Sequence, residues 1–234
     1  MAGGTGRRDA GAPAPLTPPT DARSDEARAK RLTVVVYSDF LCPWCWNAAT
    51  RLAAVETALA GGLALDWRSY LLRRHPRPRT PEALADFRAY TEGWRRVAED
   101  EPRAPFRTWR SEAGPPTHSL PAQLVAKAAA ALGDEPGRRM RERLFNAYFA
   151  ESRDISDAAV LRALWRELAL DESAYARAED PETERRVLAE HDEAQALGAS
   201  GVPAVRLAGQ EFVLVGAQPE AVYLRWFRRA LESA

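Results

Sequence analysis

Cys42 and Cys45 are the only cysteines among 234 residues, and they stand three apart in DFLCPWCWNA, residues 39–48. Such a pair can hold a metal, form a structural crosslink or cycle between dithiol and disulfide. On a helix, residues i and i+3 share a face, with Cβ atoms roughly 5–6 Å apart. Small local adjustments then bring the sulfurs to bonding distance. Pro43 loses no hydrogen bond in a first turn, so a helix is predicted to begin there with Cys42 at its start. A sulfur so placed faces unpaired backbone N–H groups and the positive end of the helix dipole, which favour thiolate over thiol. The thiolate is the attacking species in disulfide exchange. Cys45, one turn inside, is expected to be shielded and to resolve the mixed disulfide that Cys42 forms. Trp44 is expected at partial exposure beside the sulfurs, and Trp46 in the core.

The other two chemistries fit less well. Zinc takes four ligands, and this C-x-x-C supplies two. The three histidines, His75, His118 and His191, are scattered, so no metal site is expected. A structural disulfide needs an oxidising compartment. The first thirty residues are rich in Gly, Ala, Pro, Arg and Asp, and are read as a disordered tail. Arg7-Arg8 invites an export reading, but Asp9 and a proline-rich stretch follow where an apolar segment belongs. A cytoplasmic location is expected, where thiols are held reduced. Lys plus Arg and Asp plus Glu each number 33, a balance that gives no argument for nucleic acid or an anionic membrane as partner.

The elements around the dithiol follow from pattern. Leu32–Tyr37 is a β-branched run that reads as a strand buried on both faces. The helix from Pro43 carries Leu52, Val55 and Leu59 on one face and stops at Gly61-Gly62. Leu63–Leu71 is strand-like, so the segment reads β-α-β with a parallel pair. A basic, proline-rich break, RRHPRPR at 73–79, comes next. It is read as a solvated loop, with binding of an anion (a glutathione or mycothiol carboxylate, or nucleic acid) as the alternative. A long helical region follows. Leu120, Leu124, Ala128 and Leu132 share one face there, and Val160, Leu161, Leu164, Trp165 and Leu168 another. Ser156 is expected to cap the latter helix. Pro203–Leu207 and Phe212–Val215 read as a β-hairpin, and an amphipathic helix with Val222, Trp226, Phe227 and Leu231 closes the chain.

Strand, SDFLCPWC at 38–45, and a distant SGVPA at 200–204 before a hairpin and last helix together resemble the DsbA-like branch of the thioredoxin fold. YFAESRDISD at 148–157 and GAQP at 216–219 are similar to segments of the cytoplasmic FrnE-like group. The resemblance implies an α/β, thioredoxin-like fold with an all-helical insertion. It divides the chain into a tail (1–31), the first part of the thioredoxin-like domain (32–78), the insertion (79–180) and the second part (181–234). It implies a thiol-disulfide oxidoreductase in which Cys42 attacks, Cys45 resolves, and Pro43 and Trp44 tune the potential. The Val202–Pro203 bond would be cis, with Trp44, Val202 and Pro203 lining the substrate site.

The implied partners are a protein or small-molecule disulfide and a recycling thiol or reductase. No cofactor is implied beyond the dithiol, with a low-molecular-weight thiol as possible co-substrate. A glutathione-dependent isomerase or transferase and a peptide-binding chaperone are the alternative functions. PPTHSLPAQL at 115–124 stands where related groups place a recurrent segment without matching it. His118 and Ser119 there are candidates to face the active site, although Thr117 or Ser119 reads more simply as a helix cap.

Overall fold

The valine run forms β1 (Leu32–Ser38), and its alternation sets the layers of the molecule. Val34 and Val36 join one apolar cluster and Val35 and Tyr37 another, so β1 is covered on both faces. The fold was obtained as a computed structural model that describes Met1 and residues 31–233. The expected N-terminal tail, with Arg7-Arg8, lies outside the described residues apart from its two ends.

Helix α1 (Pro43–Ala58) follows β1 with Pro43 in its first turn. Gly61, at φ +82°, turns the chain into β2 (Leu63–Ser69) in a left-handed conformation that glycine adopts without a Cβ clash. β1 and β2 pair in parallel from Leu32↔Leu63 to Ser38↔Ser69. Five helices follow: α2 (Pro81–Glu92), α3 (Trp94–Asp100), α4 (Leu120–Ala130), α5 (Asp134–Phe149) and α6 (Ala158–Glu167). A 3₁₀ segment (Glu172–Glu179) leads to α7 (Pro181–Ala196). Then come β3 (Ala204–Leu207), β4 (Leu214–Val215) and α8 (Glu220–Glu232). The sheet order is β2-β1-β3-β4, with β3 antiparallel to both neighbours. This is the DsbA-like thioredoxin fold.

Three apolar clusters hold the elements together. Leu52 and Val55 of α1 pack with Val34, Val36, Val205, and Tyr223 and Phe227 of α8 on one face of the sheet. Ala194 of α7 and Ala199 pack with Val35 and Tyr37 on the other. The third cluster is helical and aromatic, and it includes Cys42, Cys45 and Trp46. The Trp46 ring meets Phe106 edge-on at 4.7 Å and lies nearly parallel to Phe149 at 5.8 Å. Trp46 is therefore the wedge by which the dithiol helix is packed into the helical region.

Arg51 makes a polar tie across the same boundary. Buried in α1, it donates to Glu101 at 3.0 Å, to the Asp100 carboxylate at 2.6 Å and to the Gln218 carbonyl at 3.1 Å. Lys127 of α4 is likewise buried, on Glu190 of α7 at 2.6 Å and the Trp67 carbonyl at 2.9 Å. Buried charges persist when they are paired and hydrogen-bonded, as both are here.

Local expectations are corrected in three places. Asp157, not Ser156, caps α6, accepting from the Ala159 and Val160 N–H groups. The Ser156 hydroxyl instead donates to Asp154 and accepts from the Thr117 N–H. In α4 the buried residues are Ala122, Gln123, Val125, Ala128 and Ala129, whereas Leu120 and Leu124 are half-buried. The close approach of α4 to α5 is at Ala130 and Gly137, where a Cβ on Gly137 would lie 2.9 Å from the Ala130 Cα. The hairpin forms, but only Leu214 and Val215 pair with β3. Phe212 leaves the ladder and sets its exposed ring edge-on against Trp226 of α8, with ring centroids 6.0 Å apart.

Candidate active site

The site sits at the carboxyl end of β1, where the chain turns into α1. Cys42 occupies the N-cap position in an extended conformation. Its N–H bonds the Asp39 carbonyl and its carbonyl accepts from the Cys45 N–H, each at 3.1 Å. Both cysteines are free thiols. Cys42 keeps 6 % of its surface exposed and Cys45 none, so only Cys42 can be reached from solvent. Burial, and next the neighbouring Cys42 sulfur, push the Cys45 thiol well up. The Asp39 N–H and the Ser38 hydroxyl oppose that rise. Pro43 is buried between the cysteines, and Trp44 is 38 % exposed beside them.

The second wall comes from β3. The register Tyr37↔Ala204 brings the residues before β3 alongside the loop that leads into α1. The Val202–Pro203 bond is cis. The Cys42 thiol donates to the Val202 carbonyl at 3.3 Å. The Pro203 carbonyl accepts from the Gly216 N–H at 2.8 Å, which fastens the GAQP turn to this wall. The structure thus brings Cys42, Pro43, Cys45, Val202 and Pro203 together, with Trp44 at the rim.

Asp39 is the residue that sequence reasoning passed over. It is fully buried three residues before Cys42. Its carboxylate accepts from the Leu41 N–H at 2.7 Å, the Leu72 N–H at 2.6 Å and the Ser119 hydroxyl at 2.6 Å. Burial nevertheless dominates these donors and pushes its pKa up to about 6. The signal available was an acid inside an otherwise apolar approach to the dithiol, Tyr37-Ser-Asp-Phe-Leu.

Ser119 stands at the start of α4 without capping it. Its hydroxyl donates to Asp39 instead, supplying a buried carboxylate with one of the donors it needs. Gln123, one turn further, donates to the Ser38 carbonyl at 2.8 Å and the Tyr70 carbonyl at 3.3 Å. PPTHSLPAQL therefore reaches the dithiol loop through Ser119 and Gln123. His118 is held at its ring Nδ1 by the Thr117 hydroxyl at 2.9 Å. His191 accepts the Leu71 N–H at 3.2 Å, and burial lowers its pKa. Among the described residues, no three His, Cys, Asp or Glu side chains converge as a metal site. None of the described helices is long and apolar enough to cross a membrane.

Known proteins share this arrangement of elements. The family model of a DSBA-like thioredoxin domain matches residues 33–225. Among curated proteins, none matches the chain. Among solved structures, the cytosolic disulfide reductase DsbM from Pseudomonas aeruginosa is 24% identical at a TM-score of 0.65, covering 86% of this chain and 98% of that one. It has also been solved with GSH. A probable DsbA oxidoreductase from Streptomyces coelicolor is 24% identical at a TM-score of 0.67, covering 87% and 92%. A 2-hydroxychromene-2-carboxylate isomerase is 16% identical at a TM-score of 0.62, covering 87% and 100%. At these identities the likeness is one of fold.

Proposed function

The chain belongs to the DSBA-like thioredoxin family, and on that premise we propose that it exchanges disulfides through Cys42 and Cys45. The observation that carries the reading is the asymmetry of the pair: Cys42 at the helix start with a reachable sulfur, Cys45 sealed beneath it. The Cys42 thiolate attacks one sulfur of a substrate disulfide. A Cys42–substrate disulfide forms, and the other substrate sulfur leaves as a thiolate that takes up a proton. Cys45 gives up its proton and attacks the Cys42 sulfur. The Cys42–Cys45 disulfide forms and the second substrate sulfur leaves. The dithiol has then lost two electrons and the substrate disulfide has gained them. A recycling thiol or reductase returns the pair to the dithiol, and the same steps reversed oxidise a substrate.

Val202 and Trp44 have the substrate-facing roles in this reading. The Val202 carbonyl accepts the Cys42 thiol proton in the reduced protein. Once Cys42 is in a mixed disulfide that proton is gone, and the carbonyl is open to an N–H of an extended substrate. The exposed Trp44 ring offers apolar surface at the landing point. Pro43 adjusts the balance between dithiol and disulfide, where about 30 mV corresponds to about 1.4 kcal/mol. No group beyond the dithiol is required, and a small thiol serves as co-substrate. A cytoplasmic setting and kinship with the FrnE-like group complete the reading. It is supported by SDFLCPWC, YFAESRDISD and GAQP and by the description of DsbM as cytosolic. The test is reduction of insulin by a thiol reductant in the presence of the protein. Turnover is expected to vanish in Cys42→Ser, and normal turnover by that variant would refute the mechanism.

A further inference from the structure

The basic segment 73–79 is exposed from Arg74 to Arg79, as expected of a solvated loop, and its Arg73, Arg77, Pro78 and Arg79 also form one wall of a groove of about 690 Å³, within the range of pockets that enclose sizeable ligands. The opposite wall is the turn 112–117, and Leu84, Phe87 and Tyr90 of α2 form an apolar floor. The walls are fastened to each other. The Arg77 N–H bonds the Thr117 carbonyl at 3.2 Å, and the Arg73 guanidinium bonds the Pro116 carbonyl at 2.8 Å. Arg79 pairs with the buried Asp154. Pro78, Pro81, Pro115 and Pro116 stiffen the rim, and Gly114 makes its turn at φ +80°.

The charges in this groove do not cancel. Arg79 is neutralised by Asp154, and Glu112 by Arg88. Among the described residues, the Arg77 guanidinium has no acidic partner and the Arg73 guanidinium meets only a carbonyl, against a single unpaired acid, Asp86. The groove is tied to the dithiol loop through the backbone. Arg73 follows Leu72, whose N–H is bonded to Asp39, three residues before Cys42. Leu72, at this tie, is 45 % exposed, and Trp44 beside the cysteines is 38 % exposed.

We infer that this groove is a second binding site for polypeptide substrates, taking a segment in which an aromatic or aliphatic residue is flanked by acidic ones. The apolar side chain lies on Phe87 and Tyr90, and the carboxylates meet Arg77 and Arg73. The inference rests on the proposed function for what brings the segment there, but the binding itself needs no thiol.

The test uses the full chain carrying both Cys42→Ser and Cys45→Ser, which separates binding from exchange. The probe is a fluorescent octapeptide with Phe between two Glu residues, read by anisotropy. Replacing Glu by Gln in the probe is expected to weaken binding at least tenfold, and Arg77→Glu at least as much. Tyr90→Ala should weaken both probes. Arg77 and Tyr90 are exposed, so these variants keep the fold. Equal affinity for the two probes, indifference to Arg77→Glu, or displacement by single-stranded nucleic acid at lower concentration than by unlabelled peptide would overturn the inference. In the protein with both thiols, Arg77→Glu should raise KM for an acidic disulfide peptide at least fivefold. It should leave kcat and the turnover of a small neutral disulfide unchanged. A protein that binds the acidic probe but turns over no disulfide would sink the dithiol reading and leave the groove standing.

Discussion

The two faces of α1 are packed against different materials. Toward the sheet, Leu52 and Val55 meet the aliphatic side chains Val34, Val36 and Val205, with Tyr223 and Phe227 behind. Toward the helical region, Cys45 and Trp46 meet Phe106, Phe145 and Phe149. The sheet side is built from short branched residues that a pleated surface orders well. The helical side is built from large rings that interlock edge-to-face. The cysteine pair lies on the seam, where polar ties are also concentrated: Arg51 on one flank of α1, and Asp39 with Ser119 at its start. A thiol site on such a seam is rigid beneath and open at the rim, which is what an attacking Cys42 over a sealed Cys45 requires.

If the seam joins the two regions into one cooperative unit, cutting it should unfold both together. Arg51→Ala removes the buried guanidinium from Glu101 and from the Gln218 carbonyl, and is expected to cost about 3 kcal/mol, the low end for one partner of a buried pair, because Arg103 still holds Glu101. Urea unfolding followed by far-UV and near-UV circular dichroism should show one shifted transition. Two separated transitions would mean that the regions are independent. Asp39 comes next. It holds its proton to higher pH in the folded chain, at about 6, than its ordinary value of 3.8. The folded state therefore binds more protons between those values, and stability falls as pH rises through them. The loss amounts to about 3 kcal/mol. Relative to wild type, Asp39→Asn should lack this slope, as unfolding midpoints from pH 3.5 to 7 would show. Parallel profiles would mean that Asp39 ionises as an exposed acid does.

Trp46→Leu removes the wedge and keeps an apolar side chain. It is expected to cost roughly 2 kcal/mol and to flatten the near-UV spectrum, while far-UV ellipticity stays. The smallest effect belongs to Ser38, whose buried hydroxyl has no hydrogen-bond partner among the described protein groups other than its approach to the Cys45 sulfur. Ser38→Ala should leave stability within about 1 kcal/mol. It should slow resolution of a mixed disulfide a few-fold at neutral pH, measured by stopped-flow release of a thiol leaving group. An unchanged rate would remove Ser38 from the reaction.

The sheet half was largely legible in sequence because its signals are local. A valine run, Pro43 behind Cys42 and Gly61-Gly62 specify β-α-β within forty residues, and two strand-like runs around Ala208-Gly209-Gln210 mark the hairpin. The ties across the seam were not legible, because their partners are remote. Nothing near Ser119 announces that its hydroxyl meets Asp39, eighty residues earlier, and nothing near Arg51 announces Glu101 and Gln218. Ser156 reads as a cap until Thr117 and Asp154 claim it. The basic stretch 73–79 is exposed as its composition suggests, but its ties to Pro116, Thr117 and Asp154 were not legible, because these partners come from the helical region. Residue type identified the dithiol and the resemblance its Val202–Pro203 wall; only the folded chain placed Asp39, Ser119 and Gln123 beneath it.

The central claim is that the two thiols are unequal, and a trapping experiment tests it most directly. Cys45→Ser, incubated with a disulfide peptide, should accumulate a mixed disulfide on Cys42, read by intact-protein mass spectrometry and lost on adding reductant. Cys42→Ser under the same conditions should accumulate none, because Cys45 is sealed. Adduct on both variants alike, or on Cys42→Ser alone, would contradict the account.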